Sequence, residues 1–373
     1  MHAFKGELHV ISKCEGYMMS ELKYIFVHGA GGWGSYDAID RVLPYWGMFT
    51  GSLMKKLQAR GFACFAASTS PSGSAWVRAC ELYAQLAGRK TDYGKAYSQK
   101  EGIPRFGKDF SDKPLIPEWN DETKLVLLGH SMGGAAVRML GHLLEYGSEE
   151  ERAAADPSEL SDLFKGGMGN RVHAIVTLAS PSSGASSLDL LSDPQFDVSS
   201  VPSSFGAKAA LKVLSLRINT GKKKAYHEHV SMIDRAMEQN EQIATLKNVY
   251  YFAAPCCCTY RTADGRCVPD PEKTEIIFMK RGAELGAYQG ITPGGIEITE
   301  EWQDNDGLVN TVSEKAPFGA PHKEFERSRI EKGIWQVMPV IEGDHMSVQG
   351  GLFIKRDMTH YYVNLLQMIR LLP

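Results

Sequence analysis

Six short runs in this sequence, residues 24–27, 64–67, 125–128, 174–178, 249–252 and 337–341, are apolar almost without interruption. A strand with one face in water alternates apolar and polar residues, whereas a run that is apolar throughout is buried on both faces, as in a parallel sheet covered by helices. The segments between the runs supply such helices. Residues 75–88, 134–147 and 358–372 repeat apolar side chains at helical spacing, and the first two stretches end at glycine. The alternation predicts an α/β chain, with a mostly parallel central sheet flanked by helices.

Residues 1–373 read as a single domain with two departures from the alternation. Residues 182–248 open Ser/Pro-rich and continue into "GAKAALKVLSLRI", where Ala207, Ala210, Leu211, Leu214 and Ile218 share one helical face. We expect a helical cap or lid inserted on the sheet. Its apolar stripe has two readings: packing against the sheet, which we prefer, and a face making transient contact with a lipid interface. Residues 262–300 carry the turn signals "PDP" and "TPGG" and read as an irregular excursion of loop and edge structure.

The balance of 41 basic and 44 acidic residues, without a basic tail, argues against nucleic acid as a partner. No apolar run is long enough for a transmembrane segment. The first residues lack a signal-peptide pattern, and seven cysteines without framework spacing fit a reducing compartment. The expectation is a cytoplasmic protein; a mature secreted form is also compatible. "CCC" at 256–258 has no metal-ligand spacing and reads as small buried side chains, and His227 and His229 diverge on a helix. We expect no metal and no cofactor, since neither a Walker lysine nor a G-x-G-x-x-G pattern follows the first strand.

Chemistry concentrates in "LVLLGHSMGGAAVRML". A buried strand, a turn with Ser131 between Gly129 and Gly133, and a helix opening at Met132 make the strand–elbow–helix context in which G-x-S-x-G presents a nucleophile. A serine hydroxyl needs a base, and in this architecture an acid and then a histidine follow it in the chain. His345, in the glycine-rich "EGDHMSVQG" after an apolar run, is placed at the carboxyl end of a strand, where sheet topology puts sites. His142, His173, His227, His229, His322 and His360 fall in helices, the cap, a strand start or, for His322, a polar loop. For the acid, Asp306 in "WQDNDGLVNTVS" is narrowly preferred to Asp304, with Asp344 a third candidate. Oxyanion donors are expected at the backbone N–H of Met132, after the nucleophile, and of Ala30, in the "HGAGGWG" turn after the first strand.

The motifs "HGAGGWGS", "PYWG", "TDYG", "GHSMGGAAVRML", "LASPSSGAS", "DNDGLVNTVS" and "GDH" together resemble the Gram-positive bacterial lipases of the bacillus and staphylococcus type. The resemblance covers most of residues 26–187 and 249–348. It implies the α/β-hydrolase fold, an ester or lipid substrate such as an acylglycerol or medium-chain ester, a triad of Ser131, Asp306 and His345, and oxyanion donors at Ala30 and Met132. It thereby selects Asp306 over Asp304. The same triad would serve an acyltransferase or thioesterase, and a ligand-binding hydrolase fold without catalysis is a third reading.

Departures from the family bear on metals and on substrate. The resemblance implies a structural zinc whose first aspartate falls here at Val77 and whose histidines fall at Tyr97 and Ile103. It implies calcium carboxylates where Ser347 and Leu352 stand. The lid segment is shorter than in the family, and Ala30 replaces a bulky aromatic, so the acyl pocket is expected to be reshaped.

Overall fold

The structure is a computed structural model, and it describes residues 22–186 and 233–373. Seven strands form the central sheet: β1 (Leu22–Val27), β2 (Ala63–Ala67), β3 (Lys124–His130), β4 (Val172–Leu178), β5 (Tyr250–Ala254), β6 (His322–Glu324) and β7 (Trp335–Val337). Their spatial order is β6-β7-β5-β4-β3-β1-β2, and every neighbouring pair is parallel. Numbering only the helices that frame the sheet and site, α1 is Ala75–Ala87, α2 Met132–Tyr146, α3 Ile233–Gln242, α4 Ile276–Ala287 and α5 Thr359–Arg370.

The uninterrupted apolar runs have a physical cause in the two cores. Tyr24, Phe26, Val126, Leu128, Val176 and Phe252 face one core, which α5 closes with Tyr362, Leu365 and Leu366. Their immediate neighbours Ile25, Val27, Leu125, Leu127, Ile175 and Tyr251 face the other, against Ala79 and Leu82 of α1 and Val137 and Leu140 of α2. Because successive strand residues point to opposite faces and both faces are dry, apolar side chains fill nearly all the central positions of these strands, with Thr177 a buried exception. Local signals set the helix ends. Ser74 accepts the Val77 N–H and caps α1, which stops at Gly88 with φ 60°, and α2 stops at Gly147 with φ 66°. Both glycines take a left-handed conformation that a side chain would strain.

The expected strand 337–341 needs correction. The sheet strand lies earlier, at Trp335–Val337, and Ile341–Glu342 forms a separate short pairing with Cys256–Cys257. Between them Pro339 has no N–H for a ladder, and Val340 turns to solvent. His322 belongs to the edge strand β6, not to a loop. Residues 262–300 are also more regular than expected: they contain the twelve-residue helix α4 and the antiparallel pair Gly290–Ile291 with Glu297–Ile298. Gly282 and Gly286, which weaken the helical signal, are needed because a Cβ there would lie 2.8 Å from Pro269 and 2.2 Å from the Cys267 carbonyl oxygen. Within the expected cap, residues 187–232 lie outside the described residues, including the apolar stripe, His227 and His229. Among the described residues no helix is long and apolar enough to cross a membrane.

Helix α2 meets β1 closely at Gly133, where an added Cβ would stand 2.3 Å from the Val27 carbonyl oxygen. Gly133→Ala is expected to lower the urea unfolding midpoint by an amount equivalent to about 1–3 kcal/mol, the usual cost of overpacking. An unchanged midpoint would mean that α2 and β1 do not meet as described.

Candidate active site

Ser131 stands between the last residue of β3 and the first of α2, with φ 53° and ψ −126°. A residue with a side chain is uncommon there and costs about 1–3 kcal/mol unless its surroundings fix it. They do so through missing side chains: a Cβ at Gly129 would lie 2.3 Å from the Gly133 carbonyl carbon, and one at Gly134 would lie 2.1 Å from Ser180 Oγ. The chain therefore reverses tightly enough to leave Ser131 at the carboxyl end of the sheet and at the positive end of α2.

His345 Nε2 lies 2.9 Å from Ser131 Oγ, and His345 Nδ1 lies 2.5 Å from Asp306 Oδ2. The backbone adds a second tie, His345 N–H donating to the Asp306 carbonyl at 2.8 Å. Asp306 is itself fixed by a turn in which its Oδ1 accepts the N–H groups of Leu308 (2.9 Å) and Val309 (2.7 Å). Gly307 makes that turn possible: its φ is 91°, and a Cβ would meet Phe278 of α4 at 2.6 Å. Ser131, His345 and Asp306 are 6%, 3% and 0% exposed. Burial alone would raise the Asp306 pKa, but the His345 charge and the hydrogen bonds it receives outweigh burial and hold it below the ordinary value. A carboxylate on Nδ1 keeps the imidazole proton there and leaves the Nε2 lone pair facing the serine.

The two rival aspartates are engaged elsewhere. Asp304 is half exposed, 3.9 Å from the Arg261 guanidinium. Asp344 turns away from Ser131 and accepts the N–H groups of Glu275 (2.6 Å) and Met346 (3.0 Å) and the Ser347 hydroxyl (3.1 Å). Burial pushes its pKa up to about 7.

Ala30 and Met132 flank the serine on its two loops. No loop or cap hydrogen bond among the described residues uses either N–H. The turn carrying Ala30 is held by residues that sequence reasoning did not select. Gly29 N–H donates to Tyr45 OH (3.0 Å), Tyr45 OH donates to His130 Nδ1 (2.6 Å), and His130 Nε2–H donates to the His345 carbonyl (2.9 Å). This relay links oxyanion loop, elbow and histidine loop. Arg78, buried in α1, donates to the His28 carbonyl and to Thr69 Oγ1. The available signals were "PYWG" around Tyr45, a histidine next to the elbow serine, and an arginine on the apolar face of "AWVRACELYAQLAG"; none of them gives a side-chain direction.

The metals implied by resemblance do not fit the residues present. Val77 and Ile103 offer no ligand atom. Tyr97 is stacked on Trp76 (5.1 Å) and Trp76 on Phe164 (5.5 Å), and the Tyr97 hydroxyl is taken up by Ser74 Oγ at 2.7 Å. At the calcium position the loop after His345 is tied by carboxylates to N–H groups. Glu275 Oε1 accepts from Leu352 (2.7 Å), Phe353 (2.7 Å) and Ile354 (2.9 Å). That oxygen already serves three donors, and although Glu275 Oε2 is buried without a hydrogen-bond partner, the two implied carboxylates are missing at Ser347 and Leu352, which leaves a hard cation short of anionic oxygens.

His130 gives this network a pH dependence. Burial first, and then the neighbouring His345, lower its pKa from 6.5 to about 3. The unfolded chain therefore binds a proton below pH 6.5 that the folded chain refuses, so stability is present above 6.5 and is lost as pH falls toward 3. The loss from this one group amounts to about 4–5 kcal/mol. Urea unfolding at stepped pH is expected to show this fall, with a flatter profile in His130→Phe, which has no proton to take up. Parallel profiles would contradict the assignment of a buried neutral imidazole.

The family model described as "Lipase-like, C-terminal domain" matches residues 21–250 and 229–366. A lipase of Staphylococcus epidermidis is 28% identical over 357 residues, covering 87% of this chain and 49% of that protein. Lipase 2 of Staphylococcus aureus is 28% identical over 373 residues, with 90% and 51% covered. The chain thus spans about half the length of these curated relatives. Among solved structures, EstA from Clostridium botulinum superposes with a TM-score of 0.82 at 27% identity, covering 94% of this chain and 88% of that one. Staphylococcus hyicus lipase gives a TM-score of 0.77 at 25% identity, covering 97% and 98%. With a parallel sheet, a strained serine elbow and a family match over most of its length, the chain belongs to the lipase-like family and has its α/β-hydrolase fold.

Proposed function

We propose that this chain is a serine carboxylic ester hydrolase that cleaves acylglycerols or simpler esters through an acyl-enzyme on Ser131. The observation that carries the reading is the pair of contacts made by His345, 2.9 Å to the serine hydroxyl and 2.5 Å to the buried Asp306 carboxylate. The relatives named as lipases and the likeness to EstA support the same substrate class.

In this reading Ser131 Oγ attacks the ester carbonyl while His345 Nε2 takes its proton, and Asp306 orients the ring and stabilises the imidazolium. The charge that develops on the carbonyl oxygen is received by the Ala30 and Met132 N–H groups, each worth about 2.7–4 kcal/mol to the transition state. His345 returns the proton to the departing alcohol. A water activated by the same imidazole then hydrolyses the acyl-serine and restores the hydroxyl.

Transient contact of the cap, residues 182–248, with a lipid interface is the second reading, beside the preferred packing of its apolar stripe against the sheet. The described part of the cap includes α3, tied to the body through Asn240, which donates to the Ser182 carbonyl (2.9 Å) and accepts from Arg138 (2.7 Å). The described cysteines are free thiols, which supports a reducing, cytoplasmic setting.

Hydrolysis of nitrophenyl esters of increasing acyl length, below and above micelle formation, tests the activity and its substrate. A medium-chain optimum is expected. Ser131→Ala is expected to lose turnover by a factor of at least about 10³ while remaining folded. A Ser131→Ala variant that turns over at the wild-type rate would overturn the proposal.

A further inference from the structure

Close to Asp306 lies a second carboxyl group that the proposed reaction does not use. Glu314 is 0% exposed. Its Oε2 accepts the Cys256 N–H at 2.5 Å. Its Oε1 is buried and has no N–H or hydroxyl donor among the described residues. Carboxyl oxygens of Glu314 and Asp306 and a ring nitrogen of His345 all lie within 4.8 Å of one another.

Two carboxylates this close in a dry site repel each other, and a lone buried carboxylate oxygen without a donor carries the full cost of desolvation. One proton on Glu314 removes both penalties: the charge pair becomes a single charge, and the orphan oxygen becomes a donor with an acceptor beside it. Burial, followed by the Asp306 charge, pushes Glu314 well above the usual carboxylate range, in the same direction. The other groups facing it do not supply a compensating cation. They are the Cys256 and Cys257 thiols and His345, whose Nδ1 is already committed to Asp306.

We propose that Glu314 is a neutral carboxylic acid whose Oε1–H donates to the Asp306 carboxylate, making it a positioning residue that fixes Asp306 against His345 and shares the negative charge of its carboxylate. The proposal rests on the triad reading given above. It also accounts for a charged residue type, in "LVNTVSEKA", placed where the chain is otherwise buried.

Glu314→Gln keeps a neutral donor of the same shape, with its carbonyl oxygen still able to accept from Cys256. Glu314→Leu removes the donor. The acid limb of the kcat/KM profile reports His345. With a neutral Glu314 the glutamine variant leaves that limb in place. The leucine variant moves it to higher pH, because Asp306 loses a donor and holds the imidazolium more tightly, and lowers kcat/KM by about 10- to 100-fold. If Glu314 were ionised, both variants would remove a negative charge near His345 and move the limb to lower pH, which overturns the proposal. A limb unmoved in both variants also overturns it.

An infrared difference spectrum, wild type minus Glu314→Gln at neutral pH, decides the matter even where the leucine variant does not fold. A protonated-carboxyl band supports the proposal, and its absence refutes it. The band is independent of turnover. A failure of Ser131→Ala to abolish hydrolysis would therefore count against the triad and not against the protonation of Glu314.

Discussion

The contact between Gly133 and the Val27 carbonyl, where a helix crosses a strand with no side chain between them, decides the geometry of everything at the carboxyl edge of the sheet. A methyl group there would stand 2.3 Å from the carbonyl oxygen. With the helix that close, the strand-to-helix reversal has only one residue in which to turn, and Ser131 takes φ 53° as a result. The strain is local and affordable because the surrounding sheet is buried on both faces and cannot relax around it. The backbone of the serine is thus placed by packing, and its hydroxyl is met by His345 Nε2.

The partners of the serine are held in a different way, by buried polar groups that hydrogen-bond across the loops. The Tyr45–His130 relay joins the loop bearing Ala30 to the loop bearing His345. Glu275 gathers three successive N–H groups in the chain that leaves the histidine loop. Asp344 closes the same loop from inside. Groups this deeply buried fix positions well, because leaving any one of them unpaired costs about 1–3 kcal/mol. Where the wider family is expected to use bound metals for such loops, this chain uses carboxylates accepting from backbone N–H groups and, at the Tyr97 position, an aromatic stack.

Much of this was legible in the sequence, and the limits of what was legible are physical. The parallel sheet followed from runs that are apolar almost throughout, since burial on both faces leaves little room for polar side chains. Gly129, Gly133 and Gly134 announced a tight turn, and the structure brings together the serine and histidine chosen from chain order and loop position with Asp306, which that order only narrowly preferred and the resemblance selected. The pattern was read wrongly where a single residue changed the local rule. Pro339 broke one expected strand, and the glycines of α4 disguised a helix as loop. Tyr45, His130, Glu275 and Glu314 were not selected at all. Their importance lies in the direction a side chain takes across the fold, and periodicity carries no information about contacts between residues 45 and 130 or 306 and 314.

The central claim is that the elbow serine is activated by His345 and carries the acyl group. Treating the full chain with a tagged fluorophosphonate and mapping the labelled peptides by mass spectrometry tests it most directly. The account predicts one adduct per chain, on Ser131, formed slowly or not at all in His345→Ala. An adduct on another residue, or equally fast labelling of Ser131 without His345, would contradict it.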